Sequence, residues 1–435
     1  MTGILLLKTI IIREIQDQIK SRKFLIGLCL TIFLVVLTNV LNTRDYIRRK
    51  QVYLDAKSNL QQDLDLQEIT IYRIPEILSI FVQGKEKRLG NRANIGARSI
   101  PVETFGYLGN RFSRYKQTNA GYAPIDFAFV IKVIFSLFVI FITYDSVSGE
   151  KSQGTLKLVF SNSISRYKFL LSKFFSGLIV IGSSLIIALL ISILIMIFHP
   201  NISFSTSDWI RIFGIIFVSF IYLTAIYMIC LFISVMVNRS SISLLILLNI
   251  WIYFVTVAPN LGVVIAEKWY PIQTKTEMEL QEKEIADPYL KKGNNIRADG
   301  DSLGYIEMHT KFREASYNIR RNYINTLIQQ ANFAEAISLF SPAVLFDLIV
   351  MRLARTGLEE YERFLDGIYR YAVNNYEIQF RLKEIDYSKL SDFSYYSENT
   401  IESFYALLPY FLILLFYSIL FFILALTSFI RKDVI

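Results

Sequence analysis

Residues 125–198 read IDFAFVIKVIFSLFVIFITYDSVSGEKSQGTLKLVFSNSISRYKFLLSKFFSGLIVIGSSLIIALLISILIMIF. Two apolar stretches, 125–143 and 170–198, flank a polar turn, 144–169. A helix crosses a bilayer with about 20 residues at about 1.5 Å each, so each stretch is long enough to span. The turn gathers Lys151, Lys157, Arg166 and Lys168, with Lys173 just inside the next stretch. Short basic connections stay in the cytoplasm, which assigns a side to this hairpin.

Working outward, four more stretches have the same character: 24–41, 209–237, 242–264 and 404–430. Six spans return the chain to its starting side. Lys8, Arg13, Lys20, Arg22 and Lys23 before the first span, Arg239 between the fourth and fifth, and Arg431 and Lys432 after the sixth fall on the side of the basic turn. The short connection 199–208 has no Lys or Arg, so both termini are expected in the cytoplasm. The sequence after the first span offers no small-residue cleavage site, which makes that span a retained anchor. Residues 1–23 carry Leu7, Ile11, Ile15 and Ile19 at helical spacing, with Arg13, Glu14, Gln16, Asp17 and Lys20 pointing elsewhere. That is an amphipathic elbow helix suited to the headgroup layer; the plainer alternative is an extension of the first span.

Two long polar segments, 42–124 and 265–403, then lie outside. The first starts as a helix continuing the first span and turns into Gly- and Asn-rich loop with short strands at most. The second is mainly helical, over 305–331 and 358–385, with SPAVLFDLIVMRLA between them too short to span and expected as a buried or bilayer-resting helix. The fold class is therefore an all-α polytopic membrane protein. Composition agrees: of 435 residues 53% are hydrophobic and 19% charged, with a mean hydropathy of +0.40 and a net charge of +9. The outer segments oppose each other in sign, with 14 basic against 8 acidic residues in 42–124 and 17 against 22 in 265–403.

The same composition excludes much. No motif interleaves bases with aromatics for nucleic acid. Cys29 and Cys230 lie inside apolar runs, and His199 and His309 stand apart from them and from each other, so neither a disulfide framework nor a metal site is expected. There is no G-x-x-x-x-G-K-[ST] phosphate loop, G-x-S-x-G elbow or H-E-x-x-H, so no catalytic residue and no cofactor is assigned to this chain.

Polar groups within spans are costly in lipid and mark candidate paths. Lys132 lies two turns into the second span, with Asp126 nearer its outer end, and Asn249 is near the middle of the fifth. Lys132 either meets an acidic substrate or extends its stem to the outer headgroups. Asn249 is expected to bond a neighbouring helix, and Arg211 to reach the outer surface.

The turn carries more than its charge. Taken by spacing alone it is either an ordinary basic hairpin or a short membrane-parallel helix against which a partner pushes. Its residues Asp145, Ser148, Gly149, Glu150, Gly154, Thr155 and Leu156, then Ser165, Arg166 and Lys173, with Leu170 one position late, resemble the signature of permease subunits of type-2 ATP-binding-cassette exporters. A second stretch, Ser341 to Tyr371, together with the start of the second span, is similar to a subgroup with large outer domains. The resemblance implies a bacterial inner-membrane permease built as a dimer, from two copies or a copy and a related permease. ATP and Mg would reside on a separate pair of cytoplasmic ATPase subunits, docked on the 144–169 loop through Glu150, Gly154, Thr155, Leu156 and Arg166. Glu150 would anchor a turn or a partner arginine, Gly154 would permit close approach and Thr155 would cap the short helix. Two other readings stay open: an ATP-driven machine that moves its outer domains against a periplasmic partner, and a membrane sensor or scaffold that transports nothing.

Overall fold

The computed structural model describes residues 2–59, 69–86, 91–95, 125–161, 165–200, 202–381, 393 and 396–431. The chain opens with helix α1 (Thr2–Lys20). Ser21 ends it: its hydroxyl donates to the Gln18 carbonyl at 2.7 Å and accepts from the Phe24 amide at 3.2 Å, setting the bend into α2 (Arg22–Asn59). At 38 residues α2 is about 57 Å long, nearly twice the hydrocarbon thickness, so the first span projects well beyond one face of the bundle. Next come α3 (127–143), whose middle is a π-helical run at Val130–Phe135, and the short helices α4 (Ser148–Ser152) and α5 (Thr155–Ser161). The remaining spans are α6 (Arg166–Ile197), α7 (Thr206–Met236), α8 (Ser240–Trp269, with a π-helical run at Tyr253–Val257) and, at the end of the chain, α14 (Thr400–Arg431).

Among the described residues, six helices are thus long and apolar enough to cross a membrane. In α7, 72% of the apolar window is buried, which makes it the central post; the corresponding share of α8 is 17%, so most of that span is uncovered by its own chain.

Between α8 and α14 lie α9 (Lys275–Ile285), α10 (Asp287–Ala298), α11 (Ser302–Ser338), α12 (Pro342–Leu353) and α13 (Leu358–Arg381). Thr274 and Glu277 form a reciprocal cap that starts α9, and Asp301 caps α11. Helices α11 and α12 make a hairpin that dips into the bundle. At its tip the Ser341 hydroxyl donates to the Phe254 carbonyl at 2.7 Å, and Tyr417 donates to the Phe340 carbonyl. Phe254 is 14 residues into α8, about 21 Å along it, so the tip lies near mid-depth. Phe346 stacks on Tyr222 of α7 with centroids 4.8 Å apart, and Leu345, Phe346 and Val350 are fully covered. The short apolar stretch is thus a buried helix, held among spans.

Outside the bundle, α9, α11 and α13 enclose a second core of Met278, Ile319, Tyr323, Ile324, Tyr361, Phe364 and Ile368. Ile71 of the first polar segment joins it, from strand β1 (Ile69–Tyr72), which pairs antiparallel with β2 (Arg92–Ile95). The two polar segments therefore build one outer unit within a single chain. Lys85 pairs with Glu335, and the Lys85 amide donates to the Thr356 carbonyl at 2.8 Å. Residues 96–124 and 382–392 lie outside the described residues.

Arg211 departs from expectation. It does not reach for the surface but is wholly buried at the outer end of α7, donating to the Leu353 carbonyl at 3.1 Å and the Glu398 carbonyl at 2.8 Å. A guanidinium at the C-terminal end of α12 satisfies carbonyls that have no helical partner, and this outweighs its solvation at the headgroups. Glu398 in turn takes Arg352 at 2.6 Å and the Ser403 hydroxyl at 2.8 Å, fastening the segment before α14.

The seam between the outer segments is charged and buried. Glu86 receives Arg49 at 3.2 Å and the Glu76 amide at 3.2 Å. Burial pushes the Glu76 carboxyl up to about 8, against the pull of Arg73 and Arg355 and with the repulsion of Glu86 and Glu360. The folded state therefore holds a proton that the unfolded chain releases near 4.5, so stability is full below that pH and falls as pH rises towards 8. We expect Glu76→Gln to flatten the decline of melting temperature over that window; an unchanged slope would contradict this assignment.

Candidate functional site

The site lies at the end of the bundle where α1 and the last turns of α14 meet α4 and α5. The polypeptide leaves α3 at Thr143 and turns through 144–147 into α4, where the Gly149 amide finds the Asp145 carbonyl at 2.8 Å while the Val147 and Ser148 amides need another acceptor. Ser234 of α7 supplies the acceptor: its hydroxyl takes the Val147 and Ser148 amides, each at 3.0 Å, and donates to the Tyr144 carbonyl at 3.1 Å. Lys151 reaches the other way and donates to the Val235 and Val237 carbonyls, where its charge also suits the C-terminal end of α7. α4 is thus bolted to the central post.

Between the short helices Gly154 has φ +73°, a conformation that favours glycine, and a Cβ there would meet nothing in this chain within 4 Å. Its requirement is backbone shape. The Thr155 hydroxyl donates to the Glu150 carbonyl at 3.2 Å and closes the turn between the helices; in this way it links α5 back to α4. Leu156 is 2% exposed and belongs to the core. Phe160 meets Phe169 and Phe429, which stack on each other at 5.6 Å, and Arg166 donates to the Ile430 carbonyl at 2.7 Å. The loop therefore touches α6, α7 and α14 together.

Its charge centre is Lys173. The ammonium lies 2.6 Å from Glu150 and 2.8 Å from Glu14 of α1, and its side chain is 6% exposed. Glu14 escaped the sequence reading, which put it on the polar face of α1. The signal was present: Glu14 follows Leu7 by seven residues and Ile11 by three, positions that share the apolar stripe. An acid within that stripe needs a buried partner, and Lys173 supplies one. A second strap runs from Lys23 to Asp145 at 2.6 Å and to the Tyr144 hydroxyl at 2.8 Å, with the ammonium over the Tyr144 ring at 4.5 Å.

The three candidate path residues bond to different partners within the chain. Asp126 caps α3, accepting from the Phe129 amide and from the Gln83 amide, each at 2.7 Å. Lys132 pairs with Asp347 of α12 at 2.5 Å, which ties the second span to the middle of α12. The Lys132 carbonyl, within the π-helical run, accepts from Tyr222 at 3.0 Å and from Ser136 at 2.5 Å, and Ser136 receives the Trp251 indole at 2.8 Å. Asn249 bonds within its own helix, to the Leu245 carbonyl at 2.8 Å, and lines an apolar groove of about 350 Å³ with Ile229, Ile233, Ile250, Phe254 and Phe421.

Comparison with known families adds one finding to this geometry. The family model described as ABC-2 family transporter protein matches residues 8–434. The chain belongs to the ABC-2 transporter family. No curated protein matches it. It is therefore a multi-pass membrane permease, the membrane component of an ABC transporter and not its ATPase. In the permease, the α4–α5 loop is bonded to α6, α7 and α14, and the deep polar groups of α3 make bonds within the chain.

Proposed function

We propose that the permease couples ATP binding and hydrolysis by a separate ATPase to export at the bacterial inner membrane, with α4 and α5 as the docking element. The observation that carries this reading is the bracing of the loop. A partner's push does work on the spans only if the pushed element is rigidly joined to them, and Ser234, Lys151, Lys173 and Arg166 make that joint. The basic residues around the loop support a cytoplasmic position for it and for both termini, with 42–124 and 265–403 in the periplasm. ATP and Mg reside on the partner.

The permease works as a pair, with a second copy or a related permease covering α8. Asn249, Thr256 and Asn260 are exposed on that span, and polar groups facing lipid are costly until another helix meets them.

Co-expression with its partner ABC ATPase is expected to yield a complex of two permeases and two ATPases by mass. In that complex, trapping ATP should change the labelling of a cysteine placed by Asn249→Cys. Glu150→Ala should co-purify and hydrolyse ATP, yet lose that change in labelling. An ATPase that fails to bind refutes the reading, and a Glu150→Ala complex that keeps the nucleotide-driven change refutes the role of the loop.

A further inference from the structure

We propose that Glu14 is a positioning residue for the coupling stroke, making α1 and the α4–α5 loop a single rigid lever. This inference rests on the docking role of the loop proposed above.

Two attachments join the loop to the first two helices. One runs from Glu14 through Lys173 to Glu150, and the other from Lys23 to Asp145 and Tyr144. The first holds α1 itself; the second holds Lys23 in the opening turn of α2, just past the Ser21 bend, so α1 is tied directly to the loop through Glu14 and at its far end only by way of α2.

The two attachments differ in kind. The side chains of Lys23 and Asp145 are 48% and 34% exposed, so water competes for their charges and the pair exchanges readily. Lys173 is 6% exposed and Glu14 19%. A buried ammonium that left Glu14 would find no water to replace it, so this bond persists while the loop moves. Glu14 is therefore the attachment that keeps the elbow in step.

The fulcrum is fixed as well. The Tyr227 hydroxyl of α7 donates to the Lys173 carbonyl at 2.6 Å, and its ring lies against Gly177, where a Cβ would come within 2.1 Å of it. The base of the lysine is thus locked between α6 and α7 while its tip holds both carboxylates. Ile15, beside Glu14, packs into the same core. A displacement of Glu150 is passed through one ammonium to α1 with no flexible segment between them.

Spin-label distances in the permease–ATPase complex test this, in a Cys29→Ser, Cys230→Ser background. One pair replaces Gln16 of α1 and Gln153 of the loop, both exposed; the other replaces Gln153 and Thr427 of α14. With nucleotide trapped, the Gln153–Thr427 distance should shift while the Gln16–Gln153 distance keeps its single peak. In Glu14→Gln, the Gln16–Gln153 peak should stay sharp without nucleotide, held by Lys23 and the apolar face, and shift when nucleotide is trapped. A Gln16–Gln153 shift in the parent protein, an unchanged peak in Glu14→Gln under both conditions, or equal broadening under both conditions would overturn the role of Glu14 and leave the docking reading standing. If nucleotide moves neither pair in the parent protein, the docking reading fails first and the inference falls with it.

Discussion

Lys173→Met is expected to remove folded permease from the membrane fraction, and adding Glu14→Gln and Glu150→Gln to it is expected to bring much of the protein back. The single substitution leaves two largely covered carboxylates facing each other without the ammonium between them. Breaking a buried pair from one side costs about 3–5 kcal/mol, because the remaining charge keeps its desolvation penalty and loses its compensation. Neutralising all three groups removes the penalty together with the attraction, and a set of neutral groups of similar shape can be close to isoenergetic. Fluorescence-detected size-exclusion after a heating series would measure both variants. A Lys173→Met protein as stable as the parent would show that the carboxylates do not depend on the lysine. Failure of the triple variant to recover would show that the site is held by shape alone.

Arg211→Ala carries the second large expected effect. The substitution strips the Leu353 and Glu398 carbonyls of their charged donor and leaves a cavity at the outer end of α7, where Arg211 is fully buried. Lost charged hydrogen bonds at about 1.5–3 kcal/mol each, with a cavity contribution, put the loss on the order of 3–5 kcal/mol. The damage should be local in its first appearance. Amide exchange should speed up in 342–353 and 396–399 before it does in α6 or α8. Arg211→Lys should recover part of the protection, since one ammonium can reach one of the two carbonyls. Uniform protection across the permease would refute the clamp.

The sequence made the spans legible because hydrocarbon tolerates only long apolar helices, and that demand is written in composition alone. The loop was legible because Glu150, Gly154, Thr155, Leu156 and Arg166 lie close together in the chain. What Gly154 and Thr155 do was less plain: the glycine answers to a positive φ and the threonine closes a turn, which are features of backbone path that residue type only hints at. Contacts at long separation were hidden for a different reason. Lys132 finds Asp347 and Lys173 finds Glu14 only after the bundle has formed, and a charged residue in a span reads alike whether it faces a path or a partner. Arg211 misled for the same reason, since a long basic side chain near a span end is equally suited to the headgroups and to a helix terminus. The hairpin α11–α12 had its helices visible in the sequence and its depth invisible, because depth depends on which carbonyls its tip meets.

That hairpin also constrains the order in which the permease can be made. On the proposed topology α12 emerges on the far side of the membrane with the rest of the outer segment, because its 12 residues are too few to be held as a span during synthesis. It returns only by docking from outside, after the helices that receive it are in place. Until then Lys132 waits in the bilayer without its acid and Arg211 without its carbonyls. Completion of the outer end is therefore the closing step of biogenesis, and it discharges both debts at once.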